Sequence, residues 1–454
     1  MRVMGHPANH GHVRHLQIAR RSSRILDGRS TASAPRGCDY LVLGGGASGS
    51  VLASRLSEDP TVRVVVVEAG GLDNSWLLRV PAAGFIAASA ARFNWNFVTE
   101  PIPALNGREM VWLSGKVLGG SSSINAMVYT RGHSSEYEAW RQMGCDGWGF
   151  SDLLPYFKRL EANVRGEGPW HGGSGPVKIR PAAPRLKICD AFLEAASASG
   201  FPVLDDLNCN AVEGFGYYDI NVDRGVRMSA PAAYLRPVLD RPNLTVITGA
   251  PALRVTIEDG RATGAEVLIG GEPTRIEAER EVIISAGAVK SPQLLMLSGI
   301  GPAEELSRHA IRVLVESPGV GANLQNHVCY RPRYLCSHPV TARRHVEPLG
   351  ALKAGIAYAL ARRGPLAESY GSAGGFFRTD DRLETADAQV VLISALPPNP
   401  ALNATRMMDM LPKEHGFAFT IYQGSPSSRG EIRLRSGDPL DSPIIRASYL
   451  SHPA

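Results

Sequence analysis

The chain has 454 residues, 44% hydrophobic and 20% charged, with a net charge of +5. That is a globular composition, long enough for two or three domains, and it excludes fibrous and wholly disordered classes. Much of the positive excess lies in residues 1–36, where seven arginines face the single acid Asp27, and the near-neutral remainder gives no case for a nucleic-acid partner.

Residues 1–36 read as a disordered or targeting arm. The arm is Arg-rich, Ser-containing and acid-poor, which suits a mitochondrial transit peptide and equally a disordered bacterial extension. A cytoplasmic location is the default, with a mitochondrial one as the alternative. His6, His10, His12 and His15 are read as incidental to a solvated tail, and no metal site is predicted. The cysteines at 38, 145, 189, 209, 329 and 336 form no C-x-x-C pair and are too scattered for a disulfide framework, so a reducing compartment is expected. No run reaches the ~18 apolar residues of a membrane span.

Ordered structure is expected from Cys38. Tyr40 to Leu43 read as a strand, Ser50 to Leu56 as a helix, and "VRVVVVEAG" as a second buried strand parallel to the first, which together make a βαβ unit. Between them, Gly44-Gly45-Gly46-Ala47-Ser48-Gly49 spells G-x-G-x-x-G, and Glu68 follows 24 residues after Gly44. In this strand–turn–helix setting the pattern is a dinucleotide fingerprint. Gly44, Gly46, Ser48 and Gly49 bring the backbone to a pyrophosphate at a helix N-terminus, and Glu68 accepts hydrogen bonds from a ribose. The fingerprint does not separate FAD from NAD.

Residues 71–115 read as irregular. The run "GKVLGGSSSINAMVYTRG", Gly115 to Gly132, has two readings: backbone and hydroxyls wrapped around a large polar cofactor, or an ordinary Gly/Ser loop. Helices are predicted over "EYEAWRQMG" and "SDLLPYFKRLE", the latter capped by Ser151. Strands dominate residues 243–287, with a hairpin turn at Asp259-Gly260. A helix begins at Ser291-Pro292. The six tryptophans are read as packing residues. Beyond residue 330 the pattern changes to mixed helix and strand, a second domain.

The run 115–132 and the segment "GAVKSPQLLMLSGIG", Gly287 to Gly301, resemble the two signature motifs of the glucose–methanol–choline (GMC) oxidoreductase family. Further similar segments fall in order: "NWNFVTEP", "GVGANLQNH", "GGFFR" and "SRGEIRLRSGDPLDSPIIRASYLS". The resemblance covers roughly residues 37 to 454 and is closest to the choline and alcohol dehydrogenase branch. It implies an α/β fold: a Rossmann-type FAD-binding region over 37–332, then over 333–454 a substrate domain with an antiparallel sheet and the start of the C-terminal region. It implies oxidation of a small-molecule alcohol, with hydride passing to FAD and electrons to a quinone or other acceptor. Carried over by motif position, Val117, Gly120, Ser121, Asn125, Ala126, Met127 and Val128 contact FAD, and Ala252 meets its adenine end.

Two departures from the family pattern shape the expectations. Ile124 occupies the position of the histidine that links FAD covalently in some members, so non-covalent FAD is expected. Ser372 occupies the position of a glutamate found in choline-acting members, which favours an uncharged alcohol. The family's catalytic histidine belongs to a motif expected beyond Ala454, so the chain is read as C-terminally truncated and no catalytic residue is assigned within it.

Overall fold

A computed structural model describes residues 25–28, 35–183, 186–396 and 412–452. Its largest sheet holds β1 (Ile25–Asp27), β2 (Gly37–Leu43), β3 (Val64–Glu68), β4 (Leu244–Thr248), β5 (Ala252–Glu258), β6 (Arg261–Ile269) and β7 (Glu272–Ile284), in the order β1-β4-β3-β2-β7-β6-β5. The valine run explains its centre. Val65 and Val67 meet Leu41, Leu43 and Ile247 on one face, and Val64 and Val66 meet Val42, Leu244 and Val246 on the other. A strand buried on both faces reads as continuous β-branched sequence, which is the parallel-sheet signature. The pairs β1–β4, β4–β3, β3–β2 and β2–β7 are parallel, whereas β5, β6 and β7 form an antiparallel meander. Strand β7 belongs to both parts: Glu272 to Glu277 pair with β6, and Glu277 to Ile284 pair with β2.

Several expectations need correction. Order begins before Cys38. Ile25–Asp27, inside the arm read as disordered or targeting, forms an edge strand on Val246 to Thr248, while residues 1–24 and 29–34, with the His tract, lie outside the described residues. The helix after the fingerprint, α1, spans Ala47–Leu56 with Gly46 at its N-cap, three residues earlier than predicted. The stretch 71–115 carries the short helices Trp76–Arg79 and Gly84–Ser89. Gly149, not Ser151, caps the helix Phe150–Leu160. The helix α2 spans Gly287–Leu297, so Ser291 and Pro292 are interior. The turn from β7 back onto the sheet is only Ser285-Ala286, and helix must start at once to cover it; the proline stays near enough the N-terminus to be tolerated. The Asp259-Gly260 hairpin is as expected, with φ of +49° and +77°, the two positive values of a type I′ turn.

The antiparallel sheet of the substrate region runs Cys329–Tyr330, Gly416–Gln423, Ala388–Ile393, Gly371–Phe377 and Gly214–Tyr217, with Arg333–Leu335 also on Gly416–Gln423. Its last strand therefore comes from well upstream of residue 333. Conversely, the hairpin Glu431–Arg433 and Ile444–Arg446 returns to the first layer, where Ile432 and Ile445 pack with Val289, Met296 and Phe97. The two regions interleave along the chain. No described helix is long and apolar enough to cross a membrane.

Candidate cofactor-binding site

The three fingerprint glycines are required for different reasons. Gly44 has φ +112°, and a Cβ there would lie 2.5 Å from the carbonyl oxygen of Ser285. A Cβ on Gly49 would collide with the carbonyl oxygen of Gly44 and come within 2.9 Å of Ser285 Oγ. Both are demands of the fold: α1 seats against the turn and against β7. Gly46 differs. A Cβ there would meet nothing nearer than the Ser285 carbonyl oxygen at 3.9 Å, so the protein interior gives no reason for the missing side chain. The bare backbone at the N-cap of α1 faces open space, as a close approach to a ligand requires.

Glu68 ends β3 beside this turn, buried. Its Oε2 accepts the N–H of Gly45 at 2.9 Å and its Oε1 the N–H of Gly70 at 2.7 Å. Burial pushes its carboxyl up to about 7 against the lowering influence of those two N–H groups and of Lys116. Each oxygen keeps a second lone pair for a ligand hydroxyl.

A cleft of about 740 Å³ opens at this point. Gly44, Gly46, Ser48 and Glu68 line it, as do Gly120, Ser121 and Ala252. The Gly-Ser run reaches the fingerprint because Gly119 and Gly120 take φ of +93° and +52°. The Gly119 N–H donates to the Gly45 carbonyl at 2.7 Å, and a Cβ on Gly120 would lie 3.1 Å from Gly46 Cα. The run is thus a second wall of the cleft. Of the fingerprint residues Gly45 and Gly49 do not line the cleft; the place of Gly49 is the α1 contact.

The rest of the motif lies past the cleft, toward the substrate sheet. Val117 is buried with Leu78, Phe93 and Ile124. Asn125 Oδ1 accepts from Arg227 Nη1 at 2.7 Å and from the Met127 N–H at 3.2 Å. Met127 is fully buried at φ +61°, a conformation costly for a non-glycine residue and often found at functional sites. The Ala126 carbonyl accepts from Ser369 Oγ at 2.7 Å, and Val128 pairs with Ile220. Arg227 itself is buried, and burial pushes its guanidinium down to about 10. Its Nη2 has no hydrogen-bond partner among the described residues.

Sequence reading missed Trp95, Lys116 and Lys290, which also line the cleft. The Lys116 and Lys290 ammonium groups sit 4.5 and 4.8 Å from the Trp95 ring centroid, so Trp95 does more than fill space. Lys116 and Lys290 each stand inside a quoted motif, but nothing in their spacing reveals that the two segments converge. All six cysteines are free, and no cluster of three or more metal-ligating side chains occurs among the described residues.

The bare turn, the buried carboxylate and the positive cleft wall fit a dinucleotide, and with the interleaved antiparallel sheet they define a dinucleotide-dependent oxidoreductase. Residues 38–329 match the family described as GMC oxidoreductase. The chain belongs to this family of FAD-dependent oxidoreductases. It is 40% identical over 415 residues to the oxygen-dependent choline dehydrogenase of Rhizobium etli, covering 91% of this chain and 74% of that protein. Pyridoxine 4-oxidase from Mesorbium loti is 29% identical and superposes with a TM-score of 0.80, over 92% of this chain and 77% of its own. Formate oxidase, at 24% identity, shares the fold with a TM-score of 0.84 over 93% of this chain and 78% of its own.

Proposed function

We propose that the chain binds FAD non-covalently in the cleft, with the fingerprint turn at the diphosphate, Glu68 at the adenosine ribose, and the segment Asn125 to Val128 toward the flavin, and that the enzyme oxidises a neutral alcohol. The observation that carries this reading is Gly46: a glycine that the fold does not need, at a helix N-cap, opening on a cleft beside a buried carboxylate. Bound FAD supplies the acceptor for hydride leaving the carbinol carbon. The protein's part is to bind and orient. Arg227 holds the Asn125 side chain, and Asn125 holds the strained Met127. Ile124, packed among Leu78, Phe93 and Val117, offers no nucleophile for a covalent link.

The preference for a neutral alcohol rests on two side chains. Ser372 is buried and uncharged, and its Oγ donates to the Ser369 carbonyl at 2.8 Å. Glu368, the nearest acid in that segment, is committed elsewhere: Arg180 Nη2 meets its Oε1 at 2.8 Å, and the Ala183 N–H meets its Oε2 at 2.9 Å. Its charge is already neutralised and does not serve a quaternary ammonium such as choline. No described histidine lines the cleft. A quinone or another non-nicotinamide acceptor takes the electrons in this reading. A reducing, cytoplasmic setting belongs to this reading on the scattered spacing of the six cysteines.

The purified protein should show a flavin band near ~450 nm, and acid precipitation should release all of it. A pellet that stays yellow refutes non-covalent binding, and a colourless protein that does not take up FAD refutes the whole reading. With an artificial acceptor, choline turning over faster than every neutral alcohol at equal concentration would refute the substrate class.

A further inference from the structure

Three segments far apart in sequence deliver two ammonium groups to one indole. Trp95 stacks on Phe97 with centroids 5.8 Å apart, and Lys116 and Lys290 approach its ring at 4.5 and 4.8 Å. An indole attracts cations through its quadrupole but brings no negative charge to balance them. The charged residues lining the cleft are these two lysines and Glu68, and both Glu68 oxygens already accept backbone N–H groups. Neither lysine forms an ion pair with a carboxylate among the described residues; Lys290 Nζ has the Asp441 carbonyl at 3.4 Å. Burial, and then Lys116, push the Lys290 amine down to about 8 against the raising influence of Asp441. Glu68 and Asp441 act on the two cations only from beyond ion-pair distance, so an anion that meets both ammonium groups directly is favoured.

The pair also stands beside the turn. Lys116 is bonded to Gly115, where a Cβ would collide with the backbone of Gly120, and a Cβ on Gly120 would lie 3.1 Å from Gly46 Cα. The lysines and the free N–H groups at the start of α1 therefore face one cleft. We propose that Lys116 and Lys290 form an anion subsite of the cleft that holds the phosphate charge of the bound dinucleotide. This rests on the reading that the cleft takes FAD, and adds to it two residues outside the fingerprint.

The test is ligand binding, with no turnover involved. ADP carries a diphosphate and adenosine carries none, so titrations with both isolate the charge. Lys116→Gln and Lys290→Gln should each weaken ADP binding by about tenfold, the scale of a charge-assisted hydrogen bond. Each should also flatten its salt dependence and leave adenosine binding unchanged, and Lys290→Arg should retain most of the affinity. A second measurement needs no variant: acetylation of the unchanged protein at pH 8, read by mass spectrometry, should be blocked at Lys116 and Lys290 by ADP and not by adenosine. ADP affinity unchanged in both glutamine variants, or labelling indifferent to ADP, overturns the subsite and leaves FAD binding standing. An unchanged protein that binds neither FAD nor ADP overturns both.

Discussion

Gly46→Ala and Gly49→Ala are chemically identical changes three residues apart, and the structure predicts opposite consequences for them. At Gly49 the new methyl collides with the Gly44 carbonyl and lies 2.9 Å from Ser285 Oγ. Backbone cannot yield as a flexible side chain can, so overpacking costs about 3 kcal/mol, the upper end of its usual range. Alanine's better helix propensity offsets about 1 kcal/mol inside α1. The net loss is about 2 kcal/mol, read as a Tm fall of about 2–3 °C in ligand-free protein of this length. At Gly46 the methyl has its nearest neighbour at 3.9 Å, and φ is −70°, which any residue adopts. Ligand-free stability should then stay within about 0.5 kcal/mol. The methyl would stand where a pyrophosphate must approach the backbone, so FAD affinity should fall at least about tenfold. The assay is thermal unfolding of apoprotein paired with FAD titration followed by flavin fluorescence. Gly46→Ala destabilising the apoprotein as much as Gly49→Ala, or binding FAD as tightly as the unchanged chain, would refute the division of roles.

Glu68→Gln should weaken FAD binding and cost about 1–3 kcal/mol, because an amide turns an NH₂ toward one of the two N–H groups that Glu68 accepts; differential calorimetry of apoprotein and holoprotein measures both. His171, held between Asp206 at 2.8 Å and Glu161 at 2.9 Å, is raised to about 9 by those two carboxylates. Its folded value lies above its ordinary 6.5, so the stability it contributes is complete below that pH and is lost as pH rises through about 9, while Asp206 and Glu161, held low, lose theirs only on acidification. Urea unfolding at pH 6 and pH 9 should therefore differ by on the order of 2–3 kcal/mol, and His171→Gln should flatten that difference; an equal slope in the variant would show that other groups carry it. Gly84→Ala places a methyl 2.6 Å from Arg227 Nη2 and should loosen the Arg227–Asn125 bond, costing about 1–3 kcal/mol, with Arg227→Lys as a milder comparison in the same unfolding assay.

Whatever depended on local pattern was legible in the sequence. Four valines in a row announce a strand covered on both sides, and Asp259-Gly260 announces a two-residue hairpin, because burial and positive φ each leave a mark on adjacent residues. The fingerprint was legible for the same reason. What escaped depends on partners far away. Ile25–Asp27 is a strand only because β4 offers a free edge. The start of α2 at Gly287 is set by the need to cover β7, which outweighs the capping preference of Ser291 and the N1 preference of Pro292. The Trp95–Lys116–Lys290 group was invisible because each residue alone reads as ordinary packing or surface charge. The segment Asn125 to Val128 was singled out by motif position alone, and its support by Arg227 and Ser369 comes from residues about a hundred and two hundred and forty positions downstream.

The seam in β7 ties the fingerprint turn to residues made much later in the chain. Its C-terminal half supplies the floor of the fingerprint turn: Ser285 Oγ donates to the Gly44 carbonyl at 2.8 Å, across 241 positions of chain. The parallel pairing of β2 with Val282 to Ile284 spans the same interval. A ribosome adds roughly 5–20 residues each second, so a nascent chain exposes Gly44 to Gly49 for about 10–50 s before Ser285 has been made. During that time β2 and β3 present long apolar strands without the neighbour that closes them, and such non-local pairing is slow to form even once the partner emerges. The fingerprint turn therefore has its floor in place only after residue 285 has been made.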